Sequence, residues 1–210
     1  MKKVLFCLFC GILILGVAGC GAKEAQENNE SSEIKSPTSE GSIDNDSITS
    51  INVFYNNVEY NLEDMSRVLF ADGWKVQGAI SQTYDLINDK YDYTLEIRFP
   101  EGSIEEAKDL EATTGNINST AAIEKLSNTK MSALKINKNN QSEGSDNISI
   151  FGIDLKTNTS EIPSLLPTIT TDYDYNDEDF FQRRNDYYSL EIKCIGSTVH
   201  SIDLKLYYLD

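Results

Sequence analysis

The chain is poor in the residues that mark most catalytic and metal sites. It has one histidine, His200, and four cysteines in 210 residues. Cys7, Cys10 and Cys20 stand in the first twenty positions, so Cys194 is the only thiol left for a folded domain and no disulfide can form within it. No His/Cys spacing matches a zinc site, and there is no G-x-S-x-G, P-loop or dinucleotide fingerprint. Cations are scarce as well: 18 Lys and Arg stand against 34 Asp and Glu, a net charge of −16. A surface of that sign repels phosphate, which excludes nucleic acid as a partner. Long apolar runs are missing too. The longest, residues 4–18, falls short of the roughly 20 residues a membrane span needs.

What is present begins at that run. Lys2 and Lys3 precede it, and small residues follow it, which is the layout of a secretory signal peptide over residues 1–19. Removing the two lysines takes the net charge from −16 to −18. From Gly21 to Ile48 there is no aromatic residue, and Ser, Glu and Asn dominate. Such a stretch buries too little apolar surface to offset its ordering entropy. Residues 20–48 are therefore expected to be a flexible tether, with an r.m.s. span on the order of 30 Å.

Residues 49–210 hold all eleven tyrosines, the single tryptophan and six of the eight phenylalanines. They read as one domain. Ile51 to Leu62 alternate about Asn56-Asn57 as a hairpin. A short helix follows with the stripe Leu62, Met65, Val68 and Leu69, closed by Gly73 and Trp74. Tyr91 to Phe99 is the cleanest strand, with Asp92, Thr94, Glu96 and Arg98 on its polar face. Ser103 with Glu106 reads as a capping box for a helix that stops at Gly115, and Thr120 to Leu126 adds helical turns. "MSALKI" and "ISIFGIDL" read as strands, and "TSEIPSLLP" as a short helix capped by Ser160. The chain closes on a long hairpin that turns at Gly196-Ser197. Hairpins outnumber helices, so the expected fold class is α+β: antiparallel sheet with short helices on one face. The order of elements suggests two related halves, 49–115 and 116–210, although no residue-level repeat stands out.

Two resemblances bear on this chain. Val17-Ala18-Gly19-Cys20 resembles the lipobox of bacterial prolipoproteins, with Val where Leu is commoner. The resemblance implies that Cys20 carries a diacylglyceryl group and becomes the first residue after cleavage. Two acyl chains then suffice for stable anchoring. The folded part, on "VEYNLEDMSRVLFADGW", "TSEIPSLLP" and "YYSLEIKCIGSTVHSIDLKL", resembles surface lipoproteins of Gram-positive bacteria, and more remotely β-lactamase-inhibitor-like tandem repeats, with Leu166-Pro167-Thr168 where Gly-Pro is frequent. Neither brings a catalytic residue to this sequence.

Few side chains carry chemistry. His200 aligns by parity with Ile202 and Leu204 and reads as a sheet-margin residue, and Cys194 as a small core residue. Asp172, Asp174 and Asn176 match the first alternate ligand positions of a calcium loop, but Asp177, Asp179 and Arg183 break the pattern. The stretch is expected to be a solvated acidic loop, with a looser calcium site as its alternative. Tyr173, Tyr175 and Tyr187 beside it form a candidate interaction surface, since Tyr offers an apolar face and a polar tip. The expected protein is a membrane-anchored extracytoplasmic binder of another envelope or secreted protein, with no cofactor and no catalysis. A small-ligand or glycan-binding accessory protein is the alternative, and a hydrolase working through two carboxylates the third reading.

Overall fold

The computed structural model describes residues 51–139, 143–166, 173–176 and 179–207. Cys20 and the stretches expected as signal peptide and tether lie outside them, as does Asp172. The architecture is α+β. Among the described residues, eleven antiparallel strands form two sheets, one of three strands and one of eight, with four short helices.

Strands β1 (Asn52–Tyr55) and β2 (Val58–Asn61) form the first hairpin. Asn56 and Asn57 turn it with φ of 51° and 64°, the left-handed pair such a two-residue loop requires. A 3-10 turn, Leu62–Asp64, follows, and the Asn61 side chain caps it by accepting from Glu63 N at 3.1 Å. Helix α1 (Met65–Ala71) then buries Met65, Ser66, Leu69 and Phe70. Strands β3 (Lys75–Ile80), β4 (Thr83–Ile87) and β5 (Tyr93–Arg98) come next. Helices α2 (Glu105–Thr114) and α3 (Thr120–Ser127) separate β5 from β6 (Ala133–Lys138). Strand β7 (Ile148–Ile150) and helix α4 (Ile162–Leu165) lead to β8 (Tyr173–Asn176), β9 (Phe180–Arg184), β10 (Tyr188–Ile195) and β11 (Thr198–Leu206).

Two expected caps take other partners. The Ser103 hydroxyl donates to the Pro100 carbonyl at 2.7 Å, so α2 starts without a side-chain cap, and Glu106 pairs with Lys125. Ser160 bonds to Asn158 Oδ1, and Glu161 opens α4. Gly115 does close α2, at φ 66°. The stretch expected as an acidic loop is in part a strand: β8 pairs with β9, Asp174 opposite Arg183.

The strand order is symmetric. The large sheet runs β3-β4-β5-β6-β11-β10-β9-β8, two four-strand meanders joined through their last strands. The small sheet repeats the pattern. β1 pairs with β7, and each turns through a two-residue loop onto a short partner, β2 for one and Ile153 for the other. Phe151 and Gly152, at φ 55° and 77°, stand where Asn56 and Asn57 stand in the first hairpin. Each hairpin leads to a helix and then to a meander. The first set spans β1 to β6 and the second β7 to β11, so β6 goes with the first set, across the 115/116 boundary drawn from sequence. Residues align as well: "YTLEIR" of β5 and "YSLEIK" of β10 occupy equivalent places 95 positions apart, as do Asn56 and Phe151.

Alternate residues of the large sheet, among them Tyr84, Leu95, Leu134, Leu204, Leu190 and Phe181, join Val53, Met65, Leu69 and Ile162 in one core. A polar knot fastens its edge. The Trp74 indole donates to the Tyr55 hydroxyl at 2.9 Å, and Tyr55 donates to Asp72 Oδ2 at 2.6 Å. Tyr91 donates to the same oxygen at 2.7 Å, and Lys90 Nζ to Oδ1 at 2.8 Å. Tyr91 stacks on Trp74 with ring centroids 5.5 Å apart. The knot ties the end of α1 to β1 and to the β4–β5 turn.

Candidate interaction face

The second face of the large sheet carries its polar residues. Ser201 apart, they are half-exposed or exposed. Pairing lines them up in rows across the strands. The middle row reads Asp85, Glu96, Lys135, Asp203, Glu191 and Gln182, each directly opposite the next. One flanking row reads Thr83, Arg98, Ala133, Lys205, Ser189 and Arg184. The other reads Thr94, Asn137, Ser201, Lys193 and Phe180. Successive rows are about 7 Å apart, two residues along a strand.

The signs of charge on this face are balanced. In the three rows five cations, Arg98, Lys135, Arg184, Lys193 and Lys205, stand with four carboxylates, Asp85, Glu96, Glu191 and Asp203. In the whole chain acids outnumber bases 34 to 18. The face is thus a patterned, near-neutral patch on an acidic body. Gln182 donates to Glu191 Oε1 at 2.8 Å, which orients that carboxylate. The Tyr207 ring lies 5.3 Å from the Arg184 guanidinium and 5.6 Å from Lys205 Nζ, which supports the basic row. Asp203 sits at the centre. Burial raises its carboxyl above the usual range; Lys135 and Lys193 oppose that, and Glu191 and Glu96 add to it.

Of the residues expected from sequence, Tyr187 and the β8 positions Tyr173 and Tyr175 border this face. Tyr187 is 42 % exposed in the β9–β10 turn, where Asn185 Oδ1 accepts from the Tyr187 and Tyr188 amides at 2.9 Å. Tyr175 and Tyr173 take the register positions at which the middle and basic rows reach the edge strand β8. Asp174 and Asn176 belong to the same strand, and their side chains lie outside the described residues. Of the wider tyrosine set, Tyr84, Tyr93 and Tyr188 are core residues.

His200 is placed differently from its parity. A bulge sets Lys193 opposite Ser201 and Cys194 opposite Val199, so His200 falls between paired positions and is half-exposed. Cys194 is buried, and burial first, then Asp179, pushes its thiol up to about 11. It stays protonated at neutral pH, as a core residue does.

Among the described residues no group of three or more His, Cys, Asp or Glu side chains is placed to hold a metal ion, and no helix is long and apolar enough to cross a membrane. The rows depend on register between distant strands, and the sequence signals only some of their parts, the alternation of β5 and of the β10–β11 hairpin. No protein-family model, no curated protein and no solved structure matches this chain.

Proposed function

We propose that this chain is a lipoprotein held by Cys20 on the extracytoplasmic face of a bacterial cell membrane, and that its domain binds another envelope or secreted protein rather than catalysing a reaction. The observation that carries the binding reading is the charge-balanced face. A middle row of carboxylates broken by Lys135 lies about 7 Å from a row whose charges, Arg98, Lys205 and Arg184, are all basic. That grain matches the side chains of a folded protein and mismatches a polymer or lipid surface of one sign. The acidic remainder repels such surfaces and keeps the domain soluble. The anchoring reading rests on Val17 to Cys20 and the polar stretch after them.

The binding test uses the full chain, solubilised in detergent and immobilised, against an envelope extract of the source organism. A protein retained near equal stoichiometry and released by high salt supports the reading, because salt screens exposed charge pairs. Retention of glycan alone moves the assignment to a glycan-binding accessory protein. The raised carboxyl of Asp203 favours one second reading, a carboxylate-dependent hydrolase, and wall-polymer cleavage that Asp203→Asn abolishes would establish it. For the anchor, Cys20→Ala is expected to remove labelling by radioactive palmitate and to leave the chain uncleaved. A variant still acylated and processed refutes the lipid site.

A further inference from the structure

The partner's own charge pattern follows from the symmetry of the face, granted the protein-binding reading above. Leu95 pairs with Ile136 in the first meander as Leu190 pairs with Leu204 in the second, so Lys135 and Asp203 are equivalent positions. They also face each other directly. The pseudo-two-fold axis of the sheet therefore passes between them. Glu96 and Glu191 are equivalent too, one strand out on either side, and Arg98 and Lys193 are their equivalent neighbours two residues along. Glu96 and Glu191 are three strand spacings apart, about 14 Å.

We propose that the partner docks a ridge along the middle row, with two basic side chains about 14 Å apart meeting Glu96 and Glu191 and no cation opposite Lys135. Lys135 repels a cation at its own position while Asp203 beside it does not, which selects against uniformly basic segments and fixes the register of the ridge. Lys193 lies to one side of the row and calls for an acidic group at that corner. An extended segment with basic residues at i and i+4 spans the distance, at about 3.4 Å per residue.

The test uses the full chain and the protein retained in the capture experiment, identified by mass spectrometry and purified. Its affinity is measured for wild type, Glu96→Arg, Glu191→Arg and the double variant. Glu105→Lys/Asp109→Lys on the exposed side of α2 serves as the control. Each single face variant is expected to weaken binding roughly tenfold and the double roughly a hundredfold, with the control unchanged. Reversing two basic residues of the partner about 14 Å apart should restore binding to the double variant. Glu96→Gln/Glu191→Gln, a milder pair, and the native fluorescence of Trp74 separate lost contact from lost fold. A partner that binds the double variant as tightly as wild type overturns the face and leaves the protein-binding reading standing. If no protein is retained by wild type, both fall.

Discussion

Removing the carboxylate of Asp72 should loosen the whole edge of the core. Two phenols donate to one of its oxygens, Tyr55 at 2.6 Å and Tyr91 at 2.7 Å, and its side chain is 24 % exposed. A hydrogen bond to a charged group contributes about 1.5–3 kcal/mol. In Asp72→Ala the buried Tyr55 hydroxyl still accepts from Trp74 but has nowhere to donate, a loss of about 2 kcal/mol. Tyr91 is half-buried and finds water, so about 1 kcal/mol is added for it. The Lys90 pair is open to solvent and is left out of the sum. The expected loss is about 3 kcal/mol, a fall in Tm of about 6–12 °C for a domain of this size. In urea the midpoint should drop by about 1.5 M at a slope near 2 kcal/mol/M. Trp74 is the only tryptophan and belongs to the knot, so its fluorescence follows the transition directly. Acid gives a second readout. Burial pushes the Asp72 carboxyl up, but the bonds from Lys90, Tyr55 and Tyr91 outweigh it and hold the carboxyl below the usual range. A depressed carboxylate contributes stability above its unfolded pKa of about 3.9 and loses it as pH falls through the folded value. The gap between wild type and Asp72→Asn should therefore close on acidification below about pH 4. A loss under about 1 kcal/mol in Asp72→Ala, or a gap indifferent to pH, refutes this account of the knot.

Other substitutions test the core and the face. The Tyr188 hydroxyl is buried with no hydrogen-bond partner among the described residues, so Tyr188→Phe should be neutral or stabilising by up to about 1 kcal/mol, while Tyr55→Phe should lose about 2; urea melts of the pair decide it. Asp203 has its folded pKa raised, so its charge opposes folding once pH exceeds the unfolded value of about 3.9. Asp203→Asn should raise Tm at pH 7 and lose that advantage near pH 3; a lower Tm at pH 7 would show that the carboxylate is held by attraction instead. Cys194 should resist iodoacetamide at pH 8 in the native protein and react quickly in urea, since its thiol is buried and raised to about 11. Fast native labelling would mean that β10 opens locally.

The strongest local signals were readable in the sequence. The Asn-Asn turn, the alternation of β5 and the β10–β11 hairpin carry their own geometry, and together they give antiparallel α+β. Other strands were not. "KVQGAISQTYDLI" hides β3 and β4 because Gly78 and a bulge beside Gln77 break the alternation. β9 carries Arg183 where the equivalent place in β4 carries Leu86, so its core face does not read as apolar. Ser103 and Ser160 looked like caps, and nearer partners, the Pro100 carbonyl and Asn158, took their hydroxyls. The face needed register. Each strand shows its own acidic and basic positions, but only pairing sets Glu96, Lys135, Asp203 and Glu191 in one line. The repeat stayed hidden because α2 and α3 interrupt the first meander between β5 and β6, so that the spacing changes from 95 to 68 positions partway through.

The central pair also says what joining the halves made possible. On a two-fold axis, identical units place each residue opposite its own copy. A lysine at the position of Lys135 would face a lysine, and an aspartate an aspartate, and like charges directly opposite one another in a sheet are destabilising. Two identical units could relieve the clash only with a neutral residue. In one chain the two positions are free to differ, and here they carry opposite signs. The Phe54–Ser149 pair in the small sheet shows the same freedom, a large ring opposite a small hydroxyl. The Lys135–Asp203 pair therefore gives the middle row a polarity, and its outer places add to it: Glu96 stands between Asp85 and Lys135, and Glu191 between Asp203 and Gln182. A partner bound along the middle row meets two unequal ends, so it can dock in one orientation only. Exchanging the two as Lys135→Asp/Asp203→Lys keeps composition and net charge and reverses that polarity. It should leave Tm nearly unchanged while weakening the partner's binding, and equal binding by the exchanged chain would show that orientation is set elsewhere.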